Sequence, residues 1–144
     1  MTTGVFDLLH PGHVHMLQEA KKLGDELVVI IARDESVKRE KHATITPEAH
    51  RRDMVQALKP VDRAVLGHHG DYYRIVEEMQ PDIFALGFDQ KYDEEEVQAE
   101  FDRRGIGCRV VRLPQFVGDL QGTRSIIQRV AQRSAQKSLY REEP

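Results

Sequence analysis

Six apolar residues in a row, Leu27-Val28-Val29-Ile30-Ile31-Ala32, constrain this chain more than any other stretch. Four of the six are β-branched, so the run reads as a strand buried on both faces. Strands of that kind belong to parallel sheets covered by helices on both sides. The rest of the chain fits. Strand-like segments at Asp62–Leu66, Asp82–Leu86 and Cys108–Leu113 alternate with helix-like ones. Val14–Leu23 carries Val14, Leu17 and Ala20 on one stripe and ends at Gly24. Thr46-Pro47 reads as a capping hydroxyl followed by Pro at the first helical position, opening a helix to about Leu58. Asp71 can cap a helix through Met79 that Pro81 stops. Asp93 can cap an acidic-fronted helix from Glu94 to Arg104, ended by Gly105. Thr123 opens a last helix to about Gln136. The expected fold is α/β: a Rossmann-like, doubly wound parallel sheet of about five strands with flanking helices. Ligands of such sheets bind at the carboxyl ends of the strands, where the strand order reverses.

One position strains this pattern. A central first strand is expected just before Gly4-Val5-Phe6-Asp7, yet only Met1, Thr2 and Thr3 precede it. Either that strand is unusually short or the chain begins several residues upstream. The second is the expectation, because a missing central strand leaves buried backbone groups unpaired.

A chain of 144 residues suits one domain, expected over residues 1–137, with a polar, frayed tail at 138–144. With 40% apolar residues it can build a core without a disulfide or a metal. Its single cysteine, Cys108, excludes an internal disulfide and a cysteine-based zinc site. No stretch reaches the roughly 18 apolar residues of a membrane helix. Nor does the N-terminus have the pattern of a signal peptide. The cytoplasm is therefore the expected compartment, with no membrane partner. Net charge is 21 − 24 = −3, which argues against a nucleic-acid binder relying on broad phosphate neutralisation. A small anionic ligand needs only a few placed cations.

The chemistry concentrates in Gly4-Val5-Phe6-Asp7-Leu8-Leu9-His10-Pro11-Gly12-His13, where a strand end turns into a helix start. A helix N-terminus offers free backbone N–H groups and the positive end of a dipole, which suits a phosphate. Gly12 allows a ligand close to the backbone. His10 and His13 add donors beside the same anion, able to stabilise charge on a phosphoryl group under attack. The residues alone also allow a plain turn with two surface histidines. A metal site lacks an apparent third ligand, and His15, two residues past His13, points elsewhere on a helix. His68-His69 reads as a turn rather than a metal site, since adjacent side chains diverge. Asp62, at a strand start, is at least as readily a structural hydrogen-bond acceptor.

Gly-Val-Phe-Asp-x-x-His-Pro-Gly-His resembles the signature of the cytidylyltransferase-like nucleotidyltransferases. The resemblance runs to about Val130. It continues through Ala32-Arg33-Asp34-Glu35-Ser36-Val37, His50-Arg51-Arg52-Asp53, Lys59-Pro60-Val61-Asp62 and Leu86-Gly87-Phe88-Asp89-Gln90. This combination is most similar to the archaeal FAD synthases within that family. The Arg-Thr pair that glycerol-phosphate cytidylyltransferases carry before their final helix is absent. Val117-Gly118-Asp119-Leu120-Gln121-Gly122-Thr123-Arg124 stands there instead, with Thr123 offering a hydroxyl and Arg124 a displaced cation.

The resemblance implies transfer of AMP from ATP to FMN, giving FAD and pyrophosphate, with Mg2+ or a similar divalent ion. It implies a catalytic set of His10, His13 and Lys41, the last reaching the triphosphate from a loop between a strand-helix unit and the helix at Pro47. Nucleotide contacts are expected at Val5, Phe6, Asp7, His10, Gly12, His13, Arg51, Gly87, Asp89 and Thr123. Asp7 would lie beside nucleotide or metal, and no residue is assigned as a metal ligand. A homodimer is expected. Three alternatives stay open: the same chemistry with glycerol 3-phosphate or a sugar phosphate as acceptor, a non-catalytic nucleotide- or flavin-binding module, and a redox flavoprotein.

Overall fold

A computed structural model describes residues 1–40, 43–118 and 122–135. Five strands, β1 (Thr2–Gly4), β2 (Val28–Ile31), β3 (Arg63–Leu66), β4 (Ile83–Leu86) and β5 (Arg109–Arg112), form one parallel sheet in the order β3-β2-β1-β4-β5. The order reverses between β1 and β4, which places the switch point of the doubly wound sheet there. Six helices connect and follow the strands: α1 (Pro11–Lys21), α2 (Asp34–Glu40), α3 (Glu48–Gln56), α4 (Arg74–Met79), α5 (Glu94–Arg103) and α6 (Thr123–Ala135).

The apolar run behaves as its composition demands. Every residue of β2 is buried, and its side chains alternate between two cores. Val29 and Ile31 pack with Leu17 and Ala20 of α1 and Val55 of α3. Ile30 packs on the other face with Ile75 and Val76 of α4 and Val97 and Phe101 of α5. β4 divides the same way, Ala85 to the first core and Phe84 and Leu86 to the second.

The first strand is present and central, although only 3 residues long. It pairs with β2 at three positions and with β4 at one, Thr2 opposite Ala85. The Met1 amino group donates to the Ile83 carbonyl at 2.8 Å, and Ala85 N–H donates to the Met1 carbonyl at 2.8 Å. Side chains reinforce the short ladder: Thr2 Oγ1 donates to the Ala85 carbonyl at 2.7 Å and Thr3 Oγ1 to the Ile30 carbonyl at 3.2 Å.

Some boundaries differ from the sequence expectation for local reasons. α1 starts at Pro11 rather than Val14, because His10 takes the N-cap position and Pro11 the first helical one. Thr46 does not cap α3; its hydroxyl donates to the Asp7 carbonyl at 3.1 Å. The cap comes from afar instead. Asp34 Oδ2 accepts from Glu48 N at 3.1 Å while Glu48 Oε2 accepts from Asp34 N at 2.8 Å, so α2 and α3 cap each other. Asp93 caps α5 as expected, accepting from Glu95 and Glu96 amides. Asp62 is structural, accepting from Leu27 N at 2.6 Å and Lys21 Nζ at 2.5 Å. No helix among the described residues is long and apolar enough to cross a membrane. Lys41, the 119–121 stretch and residues 136–144, which include the expected tail, lie outside the described residues.

Candidate active site

The signature turn begins with a steric demand. A Cβ on Gly4 would stand 2.7 Å from Cε2 of the Phe6 ring, so a side chain at position 4 and this ring placement exclude each other. Phe6 itself has φ of 54°, a left-handed conformation that costs a non-glycine residue about 1–2 kcal/mol. That twist turns its ring into the core, 2% exposed, where it backs the His13 ring at a centroid distance of 5.0 Å. Phe6 was expected among the nucleotide contacts; in this structure its ring lies beneath one of the histidines.

His10 is the N-cap of α1 with φ −146° and ψ 167°, and its side chain makes no capping bond. Its carbonyl accepts from His13 N at 3.0 Å and Val14 N at 3.3 Å. The first turn carries no acidic residue, so nothing from the helix itself neutralises the positive dipole end. The His10 and His13 rings stack with centroids 3.7 Å apart and planes 24° from parallel. The Nδ1 atoms of both are buried with no hydrogen-bond partner among the described residues. Buried polar atoms are nearly always partnered, so two orphans side by side set this turn apart from the rest of the described residues. Burial lowers both pKa values. It takes His13 to about 4, with the neighbouring His10 adding a smaller push in the same direction. For His10 the Asp89 charge opposes the lowering. Near neutral pH the free site therefore holds two neutral imidazoles, and a phosphate bound at the edge of the stacked pair would offset the cost of protonating either.

Asp7 and Arg51 surround this turn in roles the sequence did not foretell. The Asp7 carboxylate accepts from Ile45 N at 3.0 Å and from Thr46 N at 2.8 Å, tying the signature turn to the segment that follows Lys41. Arg51 is 0% exposed. It donates to the carbonyls of Val5 at 2.6 Å, Ala32 at 2.8 Å and Thr46 at 2.9 Å, and to Asp34 Oδ1 at 2.6 Å. It therefore fastens the carboxyl ends of β1 and β2 together from within, whereas the resemblance implied an arginine facing the nucleotide. The Asp34 pKa is raised by burial but brought down further by Arg51, the Glu48 amide and Thr44, so it stays ionised opposite the guanidinium.

Across the switch point lies the turn after β4. Gly87 is buried and Asp89 is exposed, close enough to His10 for its charge to be felt. Arg112 at the end of β5 donates to the carbonyls of Gly87 at 2.9 Å, Gln90 at 3.0 Å and Tyr92 at 2.5 Å, and to Glu94 Oε1 at 3.0 Å. The sequence reading passed over Arg112; its signal was a cation at the carboxyl end of a strand. Thr123 opens α6, and beside it the Ser125 hydroxyl donates to the Gly122 carbonyl at 2.7 Å.

Beside His10 an open groove of about 560 Å³ is lined by Leu9, Pro11, Val14, Leu58 and Phe116, with His15 against the Phe116 ring at 5.2 Å. His68 and His69 each pair with a surface glutamate, Glu78 and Glu35, as turn residues do. No set of three His, Cys, Asp or Glu able to hold a metal occurs among the described residues.

The arrangement sets two stacked imidazoles at a helix start, beside the switch point of a doubly wound sheet. Comparisons with known proteins agree with it. The family model described as "Cytidylyltransferase-like" matches residues 1–138. A protein called FAD synthase in Aciduliprofundum boonei is 58% identical over 134 residues, 92% of this chain and 90% of that one. One of the same name in Thermoplasma volcanium is 46% identical over 130 residues, 90% of this chain and 92% of that one. The crystal structure of a T. volcanium protein described as a lipopolysaccharide core biosynthesis protein superimposes with a TM-score of 0.79 at 49% identity, covering 81% of this chain and 96% of that one. With its signature turn, its strand order and these relatives in accord, the chain belongs to the cytidylyltransferase-like family.

Proposed function

We propose that this chain is an FMN adenylyltransferase, joining ATP and FMN into FAD with release of pyrophosphate. The observation that carries the reading is the stacked His10–His13 pair, each with a buried and unpartnered Nδ1, at the start of α1. The relatives named FAD synthase supply the acceptor.

A terminal oxygen of the FMN phosphate attacks the α-phosphorus of ATP in line. The new P–O bond forms as the bond from the α-phosphorus to the bridging oxygen of the leaving pyrophosphate breaks. No protein nucleophile is needed, and Cys108, buried with its pKa pushed up to about 11 by burial, is unsuited to be one. Catalysis is positioning plus charge stabilisation. His10 and His13 donate to the α-phosphoryl oxygens as negative charge builds. Lys41, Thr123 and the α6 start hold the departing pyrophosphate. Val5, Gly12, Gly87 and Asp89 border the nucleoside, while Asp7 and Arg51 keep the turn in register. With no set of three protein ligands among the described residues, a divalent ion of the Mg2+ kind would be carried mainly by the triphosphate and water. Such an ion would neutralise charge on the phosphates.

The protein is a cytoplasmic homodimer in this reading. Support for the dimer comes from α6, which has no buried residue and leaves Ile127 and Val130 exposed, and from the groove beside His10. Pyrophosphate release tests the activity, with ATP and FMN against CTP and glycerol 3-phosphate and against ATP and a sugar 1-phosphate. Release with ATP and FMN alone is expected. Turnover only with another pair overturns the acceptor, and nucleotide binding with no turnover on any pair overturns the enzyme.

A further inference from the structure

Gln90 stands where a bond between β1 and β4 is expected. In a parallel pair the bonds recur every second residue. Ala85 N–H donates to the Met1 carbonyl, so the next bond of the β1–β4 ladder should run from Gly87 N–H to the Thr3 carbonyl. It does not. Gly87 N–H donates to Gln90 Oε1 at 2.9 Å, and Gln90 Nε2 donates to the Thr3 carbonyl at 2.8 Å. The carboxamide presents one acceptor and one donor, as a peptide group does, and stands between the two strands where their direct bond should be. The Gln90 N–H in turn donates to the Gly87 carbonyl at 3.1 Å, and Arg112 holds both the Gly87 and Gln90 carbonyls, so the inserted amide cannot swing away. A Cβ on Gly87 would stand 3.0 Å from Met16 Sδ of α1 and 3.5 Å from Gln90 Cδ, so position 87 is tightly enclosed beside the carboxamide.

We infer that Gln90 is a positioning residue that wedges β1 and β4 apart at the switch point, setting the width of the crevice that receives the adenine nucleotide. The location supports that role. Strand ends that part at the switch point form the ligand crevice of such sheets. Here they part after a single bridged residue, on the side of the turn that carries Asp89 and faces His10. A glutamine used only for stability would gain little, because removing it lets Gly87 N–H and the Thr3 carbonyl bond each other directly. The wedge rests on the nucleotide-binding reading above and deepens it.

The test uses the full chain and a non-hydrolysable ATP analogue. In Gln90→Ala the crevice closes. The analogue's Kd and the KM for ATP rise roughly tenfold or more, the KM for FMN stays within about twofold, and the melting temperature is held by the direct bond. A through-hydrogen-bond NMR coupling between Gly87 nitrogen and Thr3 carbonyl carbon, absent in the wild type, appears. Unchanged nucleotide affinity, or a fall in stability with no such coupling, overturns the wedge. Gln90→Glu gives a second readout. Its ionised carboxylate faces the Thr3 carbonyl with no proton to donate, and its protonated form restores the donor. At pH 8 analogue affinity therefore falls below wild type as in Gln90→Ala; wild-type affinity there overturns the assignment. Failure of the wild type to release pyrophosphate from ATP and FMN would strike the catalytic reading alone, since the wedge is read by analogue binding.

Discussion

Replacing Arg51 with methionine separates two accounts of the residue. The guanidinium is fully buried and donates to three main-chain carbonyls and one carboxylate. Methionine fills much of the stem's volume but returns none of those donors. Removing one partner of a buried ion pair costs about 3–5 kcal/mol. Each stranded carbonyl adds about 1–3 kcal/mol when no water reaches it. The Asp34 side chain is 41% exposed and keeps Thr44 and the Glu48 amide as partners, which pulls the total toward the lower end. A loss of about 6 kcal/mol follows, on the order of 20 °C in melting temperature for a chain of this size. Arg51→Lys reaches at most part of the set and should lose about half as much. Urea unfolding measures both, alongside the Kd for an ATP analogue under conditions where each variant is folded. Wild-type stability in Arg51→Met together with a large loss of nucleotide affinity would refute the structural account. It would return Arg51 to the nucleotide contact that the resemblance implies.

Other consequences are quicker to check. His10→Ala and His13→Ala should each lower kcat by about 10²-fold or more with the fold intact by circular dichroism, the usual scale for one preorganised donor; near-normal turnover in both would remove the mechanism. Gly4→Ala must displace the Phe6 ring, 2.7 Å from the new Cβ, so it should lose stability and turnover together, whereas Gly4→Ala that melts like the wild type would mean the ring has room. Folding holds the His13 pKa at about 4 against an unfolded 6.5. The unfolded chain thus binds the extra proton, and this contribution is whole above pH 6.5 and lost as pH falls toward 4. It amounts to at most about 3 kcal/mol, read as a shallower loss of urea midpoint in His13→Asn than in the wild type between pH 7 and 4.5; parallel profiles would contradict it.

Much of the frame is legible in the order of residues because burial on two faces leaves a continuous apolar run, as at Leu27–Ala32, and helix stops leave Gly24, Pro81 and Gly105. The histidine pair is legible because it brackets Pro11-Gly12 where a strand end turns into a helix start, although the sequence placed that start at Val14. What stays hidden depends on long-range partners. Nothing local tells that Asp34 and Glu48 cap each other's helices across 14 residues, or that Asp7 spends its carboxylate on the amides of Ile45 and Thr46. Phe6 and Arg51 carry the signs of a binding site, an aromatic and a cation beside the signature, and both turn inward. That Thr2 and Thr3 hydroxyls supplement a 3-residue ladder could not be read locally either. Gln90 could not be read at all without knowing which ladder bond it replaces.

The most direct test follows the His10 and His13 ring nitrogens by 15N NMR across a pH titration, with and without an ATP analogue. The account predicts that His13 titrates near 4 in the free protein and that the nucleotide raises both pKa values as the phosphate takes a ring proton into a hydrogen bond. An ordinary His13 pKa near 6.5, unmoved by nucleotide, would contradict a phosphate shared by the two rings.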